Sequence, residues 1–335
     1  MRKLGIFILG TALSISFLFC NIHAIKAEAE EKSVYVGGMS AGFTLKTGGA
    51  QIIGICEVVS DGGVSSPALD AGLRAGDMIV KIGGIRVVSV QELNEIVNKS
   101  QGKALTVDII RGENTYSYEI VPKKDKATQR YKIGVLVRDS VSGVGTVTYI
   151  EKKSGRFGAL GHSVVGEDRK EMQISDGTVY ECSIVGVHKG VRGKAGELRG
   201  MFLNDKPLGN AEKLCGCGIF GQIDEEFSTS QLMSAVADSS VAKPGDAYIY
   251  STVSGVCPKR YEIEIVKVDK NNKENKNYVI KVTDDALIEE TGGIVQGMSG
   301  SPILQDGKLI GAVTHVFLND PTRGYGINID AMLQE

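Results

Sequence analysis

From Ile133 onward the chain repeats one unit, a short run rich in β-branched and aromatic residues closed by a glycine turn. "GVGTVTYI", "DAYIYSTV", "YEIEIVKV", "NYVIKV" and "KLIGAVTHVF" are successive examples. Glycine supplies the backbone conformations that tight turns need, and runs of this length and composition form strands. Tyr261–Val268 alternates as a half-buried strand does, and the Asn/Lys-rich stretch Asp269–Asn277 after it reads as a solvated hairpin loop. Only "STSQLMSAVA" (Ser228–Ala237) offers a helix in this half. The pattern predicts a mainly β fold, a β-barrel or double-barrel domain over residues 131–335.

The length of 335 residues suggests two domains. Net charge is -2, which gives no field that would draw nucleic acid or an anionic membrane. At the N-terminus Arg2 and Lys3 precede an apolar run, Leu4–Cys20, and "AEA" at Ala27–Ala29 has a small-x-small pattern. Residues 1–27 are expected to be a signal peptide or membrane anchor, and the rest of the chain is expected to be exported. Beyond the leader stand Cys56, Cys182, Cys215, Cys217 and Cys257, an odd set that argues against a complete disulfide framework. Cys215-Gly216-Cys217 lacks a second ligand pair at zinc spacing. The expectation is small buried apolar residues there, with no metal and no cofactor. A zinc enzyme using Cys215, Cys217 and His188 is the remote alternative.

The first half is organised differently. Strand-like runs (Ala50–Val59, Asp77–Val87) flank glycines, and "SVQELNEIVNKSQG" reads as a helix with Ser89 as N-cap and Glu92 completing a capping box. "ALTVDIIRG" and "YSYEIVP" form an expected hairpin, followed by the charged link Lys123–Arg130. "SSPALDAGLRAGDMIVKIGG" (Ser65–Gly84) resembles bacterial PDZ domains, which implies a peptide-binding α+β domain over 34–124. In that resemblance "GGMSAGF" (Gly37–Phe43) is the loop whose N–H groups catch a peptide carboxylate, with Ser40, Ala41, Gly42 and Phe43 at its centre. An extended peptide would add to the strand after it, and the groove could equally hold a segment of the same chain.

The chemistry concentrates in "GGIVQGMSGSPILQDG" (Gly292–Gly307). A serine hydroxyl attacks carbonyls only with a base in hydrogen-bond reach, a group orienting that base, and N–H donors for the oxyanion. A Gly-x-Ser-Gly turn supplies the donors, from Gly297 and Ser299. Ser301 is expected to support the turn, and Asp306-Gly307 signals a hairpin. The turn resembles Gly-Asp-Ser-Gly-Gly-Pro of chymotrypsin-like proteases, with Met298 in place of the acid. Of four histidines, His23 is in the leader, His188 is in a basic stretch and His315 follows the serine on an apolar run. His162, in "GRFGALGHSVVG", resembles the Ala-Ala-His-Cys site of those enzymes and is the favoured base. Asp168, Asp284 and Asp285 are the candidate acids.

"GRFGALGHSV" and "VTDDALIEETGGIVQGMSGSPILQDGKLIGAVTHVFLNDPTRGYGI", behind a PDZ-like segment, resemble the SpoIVB family of stage IV sporulation serine peptidases. The resemblance covers nearly the whole chain. It implies a chymotrypsin-like β-barrel peptidase with His162, Asp284 and Ser299 as its triad, no cofactor, and protein or peptide substrates. It also implies export to the forespore intermembrane space and cleavage of the regulatory subunit of a membrane sigma-factor processing complex. Self-cleavage gated by the PDZ domain is a further family trait. The competing expectation is a PDZ adaptor whose second domain is an inactive protease.

Overall fold

The computed structural model describes residues 32–164, 174 and 176–335, with side chains 204–206 left undescribed. The leader, His23 and Asp168 lie outside the described residues. The architecture is mainly β, as the glycine-punctuated runs predict.

Two barrels form the body. In the first, Val135–Glu151 pairs with Arg156–Ala159, then Gly218–Ile223, Glu197–Cys215, Asp176–His188 and Ser40–Ile55, which pairs back onto Val135–Glu151. In the second, Gly245–Ser251, Lys259–Val268, Tyr278–Val282, Asp320–Asn328, Lys308–Phe317 and Pro302–Gln305 follow one another, and Tyr248 opposite Leu304 closes the ring. Closure leaves no edge strand unpaired. Tyr278, Ile303 and Ile310 fill the second barrel, and Phe43, Phe157 and Ile219 the first. Val34, Tyr149, Leu304 and Ile327 belong to the cluster where the two barrels meet.

The strand that closes the first barrel is the N-terminal half of Ser40–Ile55, within the segment read as PDZ-like. Ser40–Lys46 pairs on one side with Ser140–Thr146, and Ala41–Lys46 pairs on the other with Asp176–Glu181. The PDZ unit is therefore an insertion into a barrel. The chain leaves along Ser40–Ile55 and returns along Val135–Glu151, and the two strands stay paired in the PDZ unit, with Gln51–Ile55 beside Val135–Arg138.

Within the insertion the local rules hold. The helix Val90–Lys99 is capped by Ser89, whose side chain accepts from the Glu92 N–H at 3.1 Å, while Glu92 accepts from the Val88 N–H at 3.0 Å. Its apolar face buries Leu93 and Val97 against Ile79, Ile109 and Ile120. Asp77, of the Gly-Asp signature, is 1% exposed. An unpaired buried carboxylate is costly, and Arg111 offsets this with a two-pronged grip at 2.6 and 2.7 Å. That grip also holds Arg111 further into its charged form.

Ser228–Ala237 is not helical. It runs through turns into a strand, Ser234–Val236, that pairs with Ser33–Val36. A partner strand beside it outweighs the weak helical pattern.

Candidate active site

The turn that carries Ser299 follows the helix Asp285–Thr291, which ends at Gly292 in the left-handed conformation. Gly297 and Gly300 have φ of 98° and 95°, values that side-chain-bearing residues rarely adopt. A Cβ on Gly300 would lie 2.1 Å from the Thr146 carbonyl oxygen, so the turn also presses on the first barrel. Met298, fully buried in the second barrel's core, anchors the other side.

Hydrogen bonds fix each peptide plane of the turn. The Leu198 N–H donates to the Gln296 carbonyl at 2.9 Å, which turns the Gly297 N–H away from it. Thr146, fully buried, donates its hydroxyl to the Gly297 carbonyl at 2.8 Å and its N–H to the Ser299 carbonyl at 3.0 Å. The Thr148 hydroxyl holds the Gly300 carbonyl at 2.8 Å. Among the described residues, the N–H groups of Gly297 and Ser299 have no acceptor. Two unbonded donors on a fixed turn beside a serine match what an oxyanion requires. Ser301 is buried and bonds the Ser251 hydroxyl at 3.0 Å, the supporting part expected of it.

His162 comes from the other barrel. It follows Leu160 and Gly161, both at φ 69°, which turn the chain at the end of Arg156–Ala159. Its Nδ1 lies 2.7 Å from the Ser163 carbonyl oxygen. A carbonyl can only accept, so Nδ1 carries the proton and Nε2 is left with the lone pair a base needs. Burial holds the imidazole below its ordinary pKa, against the opposing pull of the Ser163 carbonyl. His162 and Ser299 line one cleft of about 520 Å³ between the barrels. The Ser299 hydroxyl donates to the Thr314 carbonyl at 2.8 Å.

His315 lines the same cleft, its ring centroid 4.8 Å from that of His162. Burial, then the neighbouring His162 and Lys276, push it down to about 4. The sequence favoured His162 over His315 and did not foresee that both would meet. Nor did it single out Thr146 and Thr148, whose importance arises from contacts some 150 positions apart.

Two expectations and one remote alternative are corrected. Asp284 is not brought to His162. Its carboxylate caps the helix Asp285–Thr291, accepting from the Leu287 N–H at 2.9 Å and the Glu262 N–H at 3.3 Å. An aspartate just before a helix satisfies N–H groups left over by the helix start, and that demand claims this one. Asp285 sits in the first turn of the same helix. Ser40, Ala41, Gly42 and Phe43 form no carboxylate loop. They are strand residues, Ala41, Gly42 and Phe43 paired on both sides and Ser40 on one, and the Ser40 hydroxyl bonds the Thr252 carbonyl at 3.1 Å. His188 does not join the cysteines and instead faces Glu197 at 3.4 Å.

The family model described as SpoIVB peptidase S55 matches residues 129–333, and that of the PDZ domain matches 39–121. Serine protease HTRA1 of Xenopus tropicalis is 35% identical over 82 residues, covering 24% of this chain and 16% of that protein. The chain spans less than half the length of the curated relatives it matches. Among solved structures, the active form of the Rv3671c protease from M. tuberculosis is similar at 16% identity and a TM-score of 0.36, over 58% of this chain and 74% of the other. The PDZ domain of an SdrC-like protein from Listeria monocytogenes is similar at 23% identity and a TM-score of 0.22, over 27% and 87%.

Proposed function

The chain belongs to the SpoIVB peptidase S55 family and is a serine peptidase with a PDZ domain, and we propose that His162 and Ser299 are its catalytic pair. Nε2 of His162 takes the Ser299 proton as the oxygen attacks a peptide carbonyl. The N–H groups of Gly297 and Ser299 receive the oxyanion, and His162 returns the proton to the leaving amine. Water then releases the acyl group by the same route in reverse. The observation that carries this reading is the pair of unbonded N–H groups on the turn beside Ser299, across one cleft from a histidine whose tautomer leaves Nε2 free.

Among the described residues the cleft lining holds no Asp, Glu, Lys or Arg, and Val144, Leu160, Ile294 and Val316 are among its walls. Uncharged, largely apolar side chains of the substrate suit such walls. We further propose that the protein is exported, acts in the forespore intermembrane space, and cleaves the regulatory subunit of a membrane sigma-factor processing complex. The sporulation motifs support this. Self-cleavage gated by the PDZ unit has a physical route, because the strand that pairs with the PDZ sheet at Val135–Arg138 bonds the nucleophile turn at Thr146.

A fluorophosphonate probe tests the catalytic reading. Covalent labelling of the parent, lost in both Ser299→Ala and His162→Ala, is expected. No labelling of the folded parent would identify the adaptor instead. Mass spectrometry of parent and Ser299→Ala, purified side by side, tests export and self-cleavage. Fragments present in both would separate leader processing from self-cleavage.

A further inference from the structure

Cys215 and Cys217 flank Gly216 in the turn between Glu197–Cys215 and Gly218–Ile223 of the first barrel. Their sulfurs and a carboxylate oxygen of Glu335 all lie within 4.8 Å of one another. Glu335 arrives from beyond the helix Ile329–Leu333, so the three groups are assembled by tertiary packing alone. Both cysteines pack against the cluster where the barrels meet. None of the three lines the cleft that holds Ser299.

Hydrogen-bond donors reach both sulfurs. The Cys217 N–H donates to Sγ of Cys215 at 3.3 Å, and Nδ2 of Asn275, from the loop after Lys259–Val268, donates to Sγ of Cys217 at 3.5 Å. N–H donors aimed at sulfur steady the charged form and orient it as a ligand. Lys213 holds the Glu335 carboxylate at 2.6 Å. Two thiolates and a carboxylate carry three negative charges, and one divalent ion with the Lys213 ammonium carries three positive. With the ion bound and both thiols ionised the site is neutral, and a partly buried site tolerates that balance.

We propose that Cys215, Cys217 and Glu335 form a Zn²⁺ site that clips the turn of the first barrel to the end of the second. Two sulfurs and one oxygen suit zinc better than the hard cations, and water completes a tetrahedral set. Binding exchanges one Zn²⁺ for the two thiol protons. Because two protons leave on binding, uptake strengthens as pH rises.

The test uses the full reduced chain, freed of metal with a chelator and titrated with Zn²⁺ or Co²⁺ alone. Expected are stoichiometric uptake, a thiolate-to-cobalt charge-transfer band and a rise in melting temperature. All three should vanish in Cys217→Ser and persist in Cys257→Ser. Glu335→Gln, which keeps both sulfurs and the fold, should bind at least about tenfold more weakly. Fluorophosphonate labelling of Ser299 should proceed equally in parent and Cys217→Ser, so that failure of the metal site is distinguishable from failure of the catalytic reading. No uptake by the reduced, folded parent would overturn the proposal, whether or not a Cys215–Cys217 disulfide forms on oxidation. Uptake unchanged in Cys217→Ser would overturn it too.

Discussion

Gly37–Phe43 and Gly297–Pro302 are nearly the same stretch of sequence, GGMSAGF and GMSGSP, placed in opposite roles. Both read as glycine turns offering N–H groups to an anion. The second is such a turn, and the first becomes a strand at Ser40. The difference lies in what flanks each stretch. Ala41–Lys46 has a strand on either side, so its N–H and C=O groups are spent on pairing. The Ser299 turn is gripped through its carbonyls by Thr146, Thr148 and Leu198, and its N–H groups at Gly297 and Ser299 stay unspent. A nest for an anion is thus defined by where its carbonyls go, as much as by its glycines.

The sharpest way to break the comparison is to exchange the serines' fates. Ser299→Ala or His162→Ala should lower kcat by about 10⁴–10⁶ in a peptide-cleavage assay. Ser40→Ala should leave kcat unchanged and lower unfolding free energy by about 1 kcal/mol, the worth of its bond to Thr252. A loss of rate in Ser40→Ala comparable to that in Ser299→Ala would erase the distinction. Next in size is Thr146→Val, which releases the Gly297 carbonyl. We expect kcat to fall by about 10–100-fold with little change in KM, since the loss falls on oxyanion placement. Thr146→Ser should recover most of the rate. A change confined to KM would point to substrate binding instead.

Gly42→Ala probes the strand side. Its Cβ would lie 2.3 Å from the Phe202 ring, so denaturant titration should show a loss of about 1–3 kcal/mol. A carboxylate loop would show no such cost. Asp284→Ala should cost about 1 kcal/mol through the helix cap. It should leave the acidic limb of the pH–rate profile in place. A shifted limb would mean that this carboxylate reaches His162 in the working enzyme.

The smallest effect concerns pH. His162 and His315 are both held below the ordinary imidazole value of about 6.5. The acidic limb of kcat/KM should therefore lie below about 6.5, and a limb above it would contradict the buried setting of His162. For stability, the folded chain binds fewer protons than the unfolded chain as pH drops through that value. Stability is thus lost progressively as pH falls from about 6.5 toward the folded value of His315, about 4. Thermal melts across that range measure it.

What could be read in the sequence follows from locality. The strand runs, the Ser89 cap, the Asp306-Gly307 hairpin (φ 50° and 76°) and the Ser299 turn depend on residues within a few positions of one another, and each formed as expected. Asp284 misled because its distance from Ser299 in the chain fitted a motif, while the helix beside it made a nearer demand. Ser228–Ala237 misled because strand pairing with Ser33–Val36 is invisible to a window of ten residues.

The amino-acid sequence by itself determined a β-rich chain with a PDZ-like segment, a serine on a glycine turn and a histidine in a strand-to-loop setting. Short-range propensity and backbone freedom suffice for that much. Tertiary structure alone decided that Ser40–Lys46 closes a barrel and that Thr146 holds the oxyanion turn. It also decided that His315 stands beside His162 and that Glu335 meets Cys215 and Cys217. In each case the partners are far apart in the chain, and only closing the barrels, which buries both cores, brings them together.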